Sequence, residues 1–350
     1  MNGNSQPTVV RLLQDSEYPA WDHFVSEHPD ASIYHMSVWR HILGQAFGKT
    51  WYVVGAIQGS RVLGGIPLVH MRSPIFGNFL VSMPYFNYGG LVVENDEWRS
   101  PILEECVALA KRLHVKYIEL RHLQNHFSHL PVKTEKVSMW LPLPSNANDL
   151  MNSFKPKLRS QVRKGEKNGL GVRDGGIELL DDFYDVFSRN MHALGTPVYG
   201  KQFFQLILEA FPKVARLMVV RNPEGSPIAC GFLLGHRERL EIPWASSLRE
   251  FNYLQSNMFL YWHCLKYACD QGYQTFDFGR STLGGPTFKF KEQWGAKPVD
   301  HCWHYWLDGN LDVPQLNPQN PKFKLAIAMW QRLPLSVTRL VGPVIAKDLA

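Results

Sequence analysis

Gly59, Ser60, Gly65 and His70 recur as Gly225, Ser226, Gly231 and His236, each 166 residues further along the chain. Each set punctuates a pair of short apolar runs, 53–70 and 219–236, that read as strands on either side of a Gly-Ser turn. Upstream of each hairpin lies a helix-like stretch with a Tyr near its start and a Phe near its end, 34–47 and 199–211. Downstream come a helical stretch and then a strand, 117–121 in one half and 275–280 in the other. A helix, a hairpin, a helix and a strand, used twice, predict two copies of one α/β (α+β) domain facing each other across a cleft. Two copies make a duplicated domain and exclude a solenoid.

A chain of 350 residues suits two such domains, each able to bury its own core. The segment 142–149 has turn composition and reads as the linker, which sets the first domain at 1–149. A basic helix over 157–168, stopped at Gly169, then opens the second domain, 150–310, which Asp308-Gly309-Asn310 closes with a turn. The tail, 311–350, carries Phe323, Ile327, Trp330 and Leu333 at near-helical spacing between basic residues. Packing of that stripe onto the domains is its first reading, and lying on a membrane surface its second.

Apolar content of 45% and charged content of 19% are those of an ordinary globular protein. The five cysteines form no CxxC pair and sit in apolar stretches, which points to a reducing cytoplasm. No basic-then-apolar leader is visible at the N-terminus. The uncharged stretch 73–93 is long enough to raise a transmembrane question, but two prolines, two asparagines and three glycines exclude a spanning helix. Net charge of +6 favours an anionic small molecule as partner, and DNA is not expected.

Six cations, Lys155, Lys157, Arg159, Arg163, Lys164 and Lys167, stand against Glu166 alone in 154–167. Like charges at i, i+4 cost roughly 0.2–0.5 kcal/mol per pair, so the stripe asks for an anionic partner. That partner is either a phosphate-bearing ligand or the acidic run Asp174, Glu178, Asp181, Asp182 and Asp185. In the block 276–296, a strand ending in Asp277-Phe278-Gly279-Arg280 opens into a Gly-rich loop, delivering an acid and a base to one sheet edge. Catalysis and a structural ion pair are equal readings of Asp277 and Arg280. Met83-Pro84-Tyr85-Phe86-Asn87-Tyr88-Gly89-Gly90 reads either as a tight turn with buried rings or as a pocket wall with polar handles, and Pro197-Val198-Tyr199-Gly200 repeats the choice. His301 and His304 lie three apart on a strand-like run, face opposite sides and cannot share a metal, so no metal is expected. No Gly-x-Ser-x-Gly elbow supports a nucleophilic hydrolase.

These motifs, with Lys157-Leu158-Arg159-Ser160-Gln161-Val162-Arg163-Lys164, Pro243-Trp244-Ala245-Ser246-Ser247 and Phe290-Lys291-Glu292-Gln293-Trp294-Gly295, resemble the FemAB-like transferases. Within them the chain is most similar to the exopolysaccharide and PEP-CTERM-system-associated branch, over about 10–307. The resemblance implies tandem domains of the acetyltransferase-like (GNAT) fold joined by the basic helix, with a helical C-terminal tail. It implies transfer of an aminoacyl group from tRNA to the amine of an envelope precursor. Trp39 and Tyr88 would line the acceptor site, Arg159 or Arg163 would meet substrate phosphate, and Lys291 would lie by the reacting carbonyl. The coiled-coil arm that some relatives insert in the second domain is missing, which argues against tRNA. The pyrophosphate loop of coenzyme A-dependent relatives is missing before the helix that should start near Ser256-Asn257-Met258, which argues against coenzyme A.

The resulting expectation is a cytoplasmic N-acyltransferase, in peripheral contact with the inner membrane in one reading. It would act on an amine of an anionic, sugar-linked or lipid-linked precursor, with no cofactor and with aminoacyl-tRNA or acyl-CoA as donor. Lys291 would stabilise the oxyanion, Asp277 would take or orient the proton, and Arg280 would complete the catalytic set. Trp39, Tyr85, Asn87, Tyr88, Arg159, Arg163, Lys164, Tyr199, Trp244 and Asn257 would bind substrate. The alternative is a non-catalytic module that binds a saccharide or nucleotide-sugar for an export system.

Overall fold

The computed structural model describes residues 7–74, 76–309, 311–314 and 321–349, the side chains of 321–324 excepted. Among the expectations above, Asn310 and the side chain of Phe323 lie outside the described residues, as does the N-terminus up to residue 6.

Among the described residues fifteen strands run in chain order: β1 (Thr8–Leu12), β2 (Thr50–Gln58), β3 (Arg61–Ser73), β4 (Gly77–Val81), β5 (Val92–Val93), β6 (Tyr117–His122), β7 (Val132–Lys133), β8 (Lys136–Pro142), β9 (Gly171–Gly175), β10 (Ala215–Arg221), β11 (Pro227–His236), β12 (Arg239–Ser247), β13 (Thr275–Thr282), β14 (Lys297–Asp300) and β15 (Cys302–Leu307). They form two sheets, β1-β2-β3-β4-β6-β15-β7, with β5 on β3, and β9-β10-β11-β12-β13-β8-β14. Position by position the two orders describe one topology. The repeated hairpins are β2–β3, closed by Gln58 opposite Arg61, and β10–β11, closed by Arg221 opposite Pro227. Gly59 and Gly225 carry the same left-handed φ, 63° and 84°, which an L side chain adopts only under strain. In each sheet a helix, Arg99–Arg112 or Ser256–Asp270, then leads to a strand paired parallel to its predecessor, β6 on β4 and β13 on β12.

The sixth place in each sheet departs from the expected boundaries. β8, from the first half of the sequence, lies beside β13 in the second sheet, and β15, from the second half, pairs antiparallel with β6 in the first. Among the described residues, one compact unit accordingly lies within 1–137, 300–315 and 348–350 and the other within 138–299 and 316–347, where the sequence suggested divisions at residues 149 and 310. The expected linker, 142–149, runs from the last residue of β8 through 143–146, which have no regular structure, into a helix, Ala147–Ser153, whose first turn is capped by the Asn146 side chain accepting from the Asp149 amide at 2.9 Å.

The first unit buries Val54, Ile66, Leu68, Leu80, Ile118 and Leu120 of the sheet against Ile102, Cys106 and Leu109 of the helix Arg99–Arg112. Each such aliphatic side chain contributes about 1.5–3 kcal/mol by leaving water. In the second unit the helix Ser256–Asp270 is apolar nearly all round, and Phe259, Leu260, Cys264, Leu265 and Ala268 are all buried. Among the described residues no helix is long and apolar enough to cross a membrane.

Candidate functional site

The basic segment folds as a helix, Pro156–Lys167, with the proline at its first position, where its missing N–H costs nothing. Leu158, Val162 and Gly165 form its buried face. A Cβ on Gly165 would stand 2.8 Å from the ring of Phe259, so the glycine lets this helix close onto the core helix Ser256–Asp270. The opposite face is a groove lined by Pro156, Arg159, Ser160, Arg163, Lys164 and Lys167. Arg159 is half-buried and the other cations are exposed.

The acidic run does not neutralise this face. Asp174 pairs with Arg216, Asp181 with Lys201, Asp182 with Arg221, and Asp185 with both Arg189 and Arg339. Glu178 accepts from the Gly176 amide. Among the described residues, none of the six cations of 155–167 has an ion-pair partner. The stripe therefore keeps its repulsion and its call for an external anion.

Asp277 stands on β13, and Lys291 reaches the same strand from a neighbouring helix. Asp277 is fully buried, and its Oδ1 accepts from the Gly279 amide at 2.7 Å. Gly279 takes φ 72°, so the strand bends there and two successive carbonyls turn toward the short helix Pro286–Glu292. From that helix the Lys291 Nζ donates to the carbonyls of Gly279, at 2.9 Å, and Arg280, at 2.8 Å. Lys291 is only 6% exposed, and burial lowers its pKa to about 8, against the opposing pull of Asp277 and Glu241. Glu241 is the register partner of Asp277 on the neighbouring strand β12 and is itself buried. This carboxylate pair was not expected from sequence; an acid in the apolar run of β12 was its one signal. The Arg280 residue is exposed, so it joins the cluster through its carbonyl.

Three aromatic contacts within the same unit tie this cluster to the start of the basic helix and to the core helix. Phe154, just before that helix, sits edge-on to Trp294, three residues after Lys291, at 5.4 Å. Tyr261 of the core helix stacks on Phe278 of β13 at 5.6 Å and meets Phe290 edge-on. Asn257 is half-buried in the first turn of the core helix. Tyr199 and Trp244 belong to an aromatic cluster with Phe203, Phe204 and Phe232.

In the first unit, Trp39 and Tyr88 are buried in the core. Trp39 is fully enclosed, donates from Nε1 to the Ile33 carbonyl and lies edge-on to Phe86 at 4.7 Å. Tyr88 meets Tyr34 edge-on. Of the loop 83–90, Tyr85 and Asn87 are half-buried and the rest is enclosed. What holds this loop was missed in the sequence. Arg121, 2% exposed, donates to the Phe86 carbonyl at 2.6 Å, pairs with Glu119 at 2.7 Å and lies under the ring of Trp303 at 4.3 Å. Tyr305 donates its hydroxyl to Glu119, and burial beside that carboxylate raises its pKa. An acid and a base two apart on an apolar strand face one side, and that spacing was the available signal. His304, set aside as a metal ligand, lies with its Nδ1 3.0 Å from that of His122. Among the described residues no group of three or more His, Cys, Asp or Glu is placed to hold a metal ion.

Residues 152–292 match the family model described as an acetyltransferase (GNAT) domain, so the second half carries both the fold and the enzyme class expected. No curated protein matches the chain in sequence. Among solved structures it is similar to FemX, at 17% identity over 84% of this chain and 96% of that one, with a TM-score of 0.67. It is similar to the C-terminal domain of a putative lysylphosphatidylglycerol synthetase from Agrobacterium fabrum, at 13% identity over 90% and 95% of the two chains, TM-score 0.56. A tandem GNAT protein from the clavulanic acid biosynthesis pathway aligns at 12% identity over 87% of this chain and all of that one, TM-score 0.53. At such identities the likeness is one of fold, and it extends over both halves.

Proposed function

We propose that the chain is an N-acyltransferase that moves an acyl or aminoacyl group onto the amine of an anionic envelope precursor, sugar-linked or lipid-linked. The observation that carries this reading is the groove of the helix Pro156–Lys167, whose cations have no ion-pair partner among the described residues, inside the very segment that matches an acetyltransferase domain. Acceptor phosphates on Arg159, Arg163 and Lys164 would supply the missing negative charge. The similarity in fold to a putative lysylphosphatidylglycerol synthetase is in keeping with such an acceptor.

The reaction asks little of the protein beyond placement. The amine nitrogen attacks the carbonyl carbon of an acyl ester or thioester, the C–N bond forms, the acyl C–O or C–S bond breaks, and the proton lost by the amine ends on the departing oxygen or sulfur. Lys291 has three N–H donors, two of them on β13 carbonyls, and the third is available for the developing oxyanion. Full burial of Asp277 suits positioning better than direct proton transfer: it fixes the Gly279 bend and keeps a negative charge beside the ammonium. Arg280, exposed at the strand end, is suited to meeting substrate. A link to exopolysaccharide assembly rests on the sequence resemblance.

Mass spectrometry of acceptor mixtures tests the reading. The full chain is incubated with a nucleotide-linked amino sugar or an aminophospholipid, and with aminoacyl-tRNA or acyl-CoA. The expected product is acceptor heavier by one acyl group, formed by wild type and lost in an Arg159→Glu, Arg163→Glu double variant. Acceptor binding without acyl transfer from any donor would favour the saccharide-binding module instead.

A further inference from the structure

The helix Leu335–Ala346 is amphipathic in the inverted sense. Its protein-facing side is made of small residues, Thr338, Gly342 and Ala346, all buried and spaced four apart. A Cβ on Gly342 would stand 3.0 Å from the Val198 amide nitrogen, so this side is in close backbone contact. The outward side is aliphatic: Val337, Leu340, Val341 and Val344, at i, i+3, i+4 and i+7, with Leu340 77% and Val344 62% exposed. The preceding helix, Pro321–Trp330, turns Leu325 and Met329 outward as well, 64% and 61% exposed. The inward stripe expected from sequence is present in part, since Ile327 packs at Gly195 and Trp330 is half-buried. Both helices are fastened to the unit. Gln331 donates to the Ala193 carbonyl, His192 and the Leu333 carbonyl lie within hydrogen-bond distance, and Arg339 reaches Ser188 and Asp185. A water-facing helix normally shows the reverse pattern, and an aliphatic face of this kind marks a contact surface.

Charge identifies the partner. Between Asp312 and Asp348 the sequence contains no acidic residue, and it contains Lys322, Lys324, Arg332, Arg339 and Lys347. Arg339 is paired with Asp185 and Arg332 is exposed, while Lys322, Lys324 and Lys347 flank the aliphatic positions in sequence. We propose that the outward faces of these two C-terminal helices lie on an anionic lipid bilayer, with Leu325, Met329, Leu340 and Val344 entering the acyl boundary and the exposed Arg332 between the helices at headgroup level. Helices of 10 and 12 residues are roughly 15 and 18 Å long, too short to span a bilayer and suited to lying in its interface. A second copy of this chain is a poorer occupant, because self-pairing would set two cation-rich segments of a protein of net charge +6 against each other.

The inference stands apart from the transfer reaction, and its test needs no substrate. Full-length protein is co-sedimented with sucrose-loaded vesicles of phosphatidylglycerol in phosphatidylcholine, and with vesicles of phosphatidylcholine alone. Binding is expected to the anionic vesicles and to weaken with salt. The Leu340→Asp, Val344→Asp variant should bind about tenfold or more weakly, since it loses two apolar contacts at 1.4 kcal/mol per tenfold. Both positions face away from the protein, so a variant with the wild-type melting temperature isolates the surface. Equal binding of the two proteins, or none to anionic vesicles, overturns the proposal. So does light scattering that shows a wild-type dimer which the variant converts to monomer.

Discussion

Lys291 reaches back twelve residues to Gly279 and donates to its carbonyl at 2.9 Å, at the one point where β13 turns left-handed. The contact gives a buried ammonium a fixed direction, because the neighbouring Arg280 carbonyl accepts its second proton at 2.8 Å. Flexible lysines lose much of their force as oxyanion donors to reorientation; one pinned at two points in a dry site does not.

The donor role proposed for Lys291 makes a pH prediction. With its pKa near 8, Lys291 is ammonium below that value and neutral above it, so kcat/KM should fall as pH rises through about 8. Lys291→Arg, which stays charged, should lose this alkaline limb even if its rate is lower. Lys291→Ala should lower the rate ~100- to 1000-fold. It should also cost about 1–3 kcal/mol, because two buried carbonyls lose their donor and two carboxylates their counterion. A wild-type profile flat to pH 10 would remove Lys291 from the chemistry and leave it as a strap between a helix and a strand.

Charge reversal on the basic helix should separate binding from folding. Arg159→Glu or Arg163→Glu should raise KM for an anionic acceptor and flatten its salt dependence. Neither should lower the melting temperature, because each removes i, i+4 repulsions of roughly 0.2–0.5 kcal/mol and breaks no ion pair. Thermal denaturation beside a salt series decides it: destabilised variants with unchanged KM would make the stripe structural.

The duplicated topology was legible because both hairpin turns need a left-handed residue, so glycine stands at 59 and 225. The exchange of β8 and β15 was not legible. Each is a short strand of ordinary composition, and nothing in its own residues says which sheet will hold it; sequence neighbours usually pair, and here they do not. Lys291 could be named from a motif, but its burial depends on a bend eleven and twelve residues away. The fate of the acidic run was equally hidden. Asp174, Asp181 and Asp182 find their cations 42, 20 and 39 residues away, well beyond the reach of local charge patterning. Trp39 and Tyr88 show the converse: aromatic content marks a site and a core alike.

Arg121 should be the most sensitive position of the first unit. It holds the Phe86 carbonyl and pairs with Glu119, and both side chains are largely withdrawn from solvent. Arg121→Ala leaves the Glu119 carboxylate buried with only the Tyr305 hydroxyl, which should cost about 3–5 kcal/mol. An Arg121→Met, Glu119→Gln double variant should recover a large part of that loss, because the uncompensated charge is gone. Denaturant midpoints of Arg121→Met, Glu119→Gln and the double variant report the coupling, and additive effects would show that the pair acts independently.

The donor is where the core helix departs most from a coenzyme A site. Pyrophosphate is commonly seated on free backbone N–H groups at a helix N-terminus, reached through a glycine-rich turn. Here the residues before Ser256 form a 3-10 turn, Arg249–Leu254, and the left-handed position at the helix start is filled by Gln255, φ 64°, where a glycine would adopt it without strain. Tyr253 projects from that turn, 67% exposed, and Glu250 extends from its first residues to pair with Arg189 at 3.0 Å. A diphosphate would have to pass bulk and a carboxylate to reach the amides. Coenzyme A is therefore expected to bind weakly, with the acyl group held instead beside Lys291. Calorimetry of the full chain with acetyl-CoA and longer acyl-CoA species should detect no micromolar site. Micromolar binding that a Gln255→Pro variant abolishes would place the pyrophosphate on the core helix after all and return acyl-CoA as the donor.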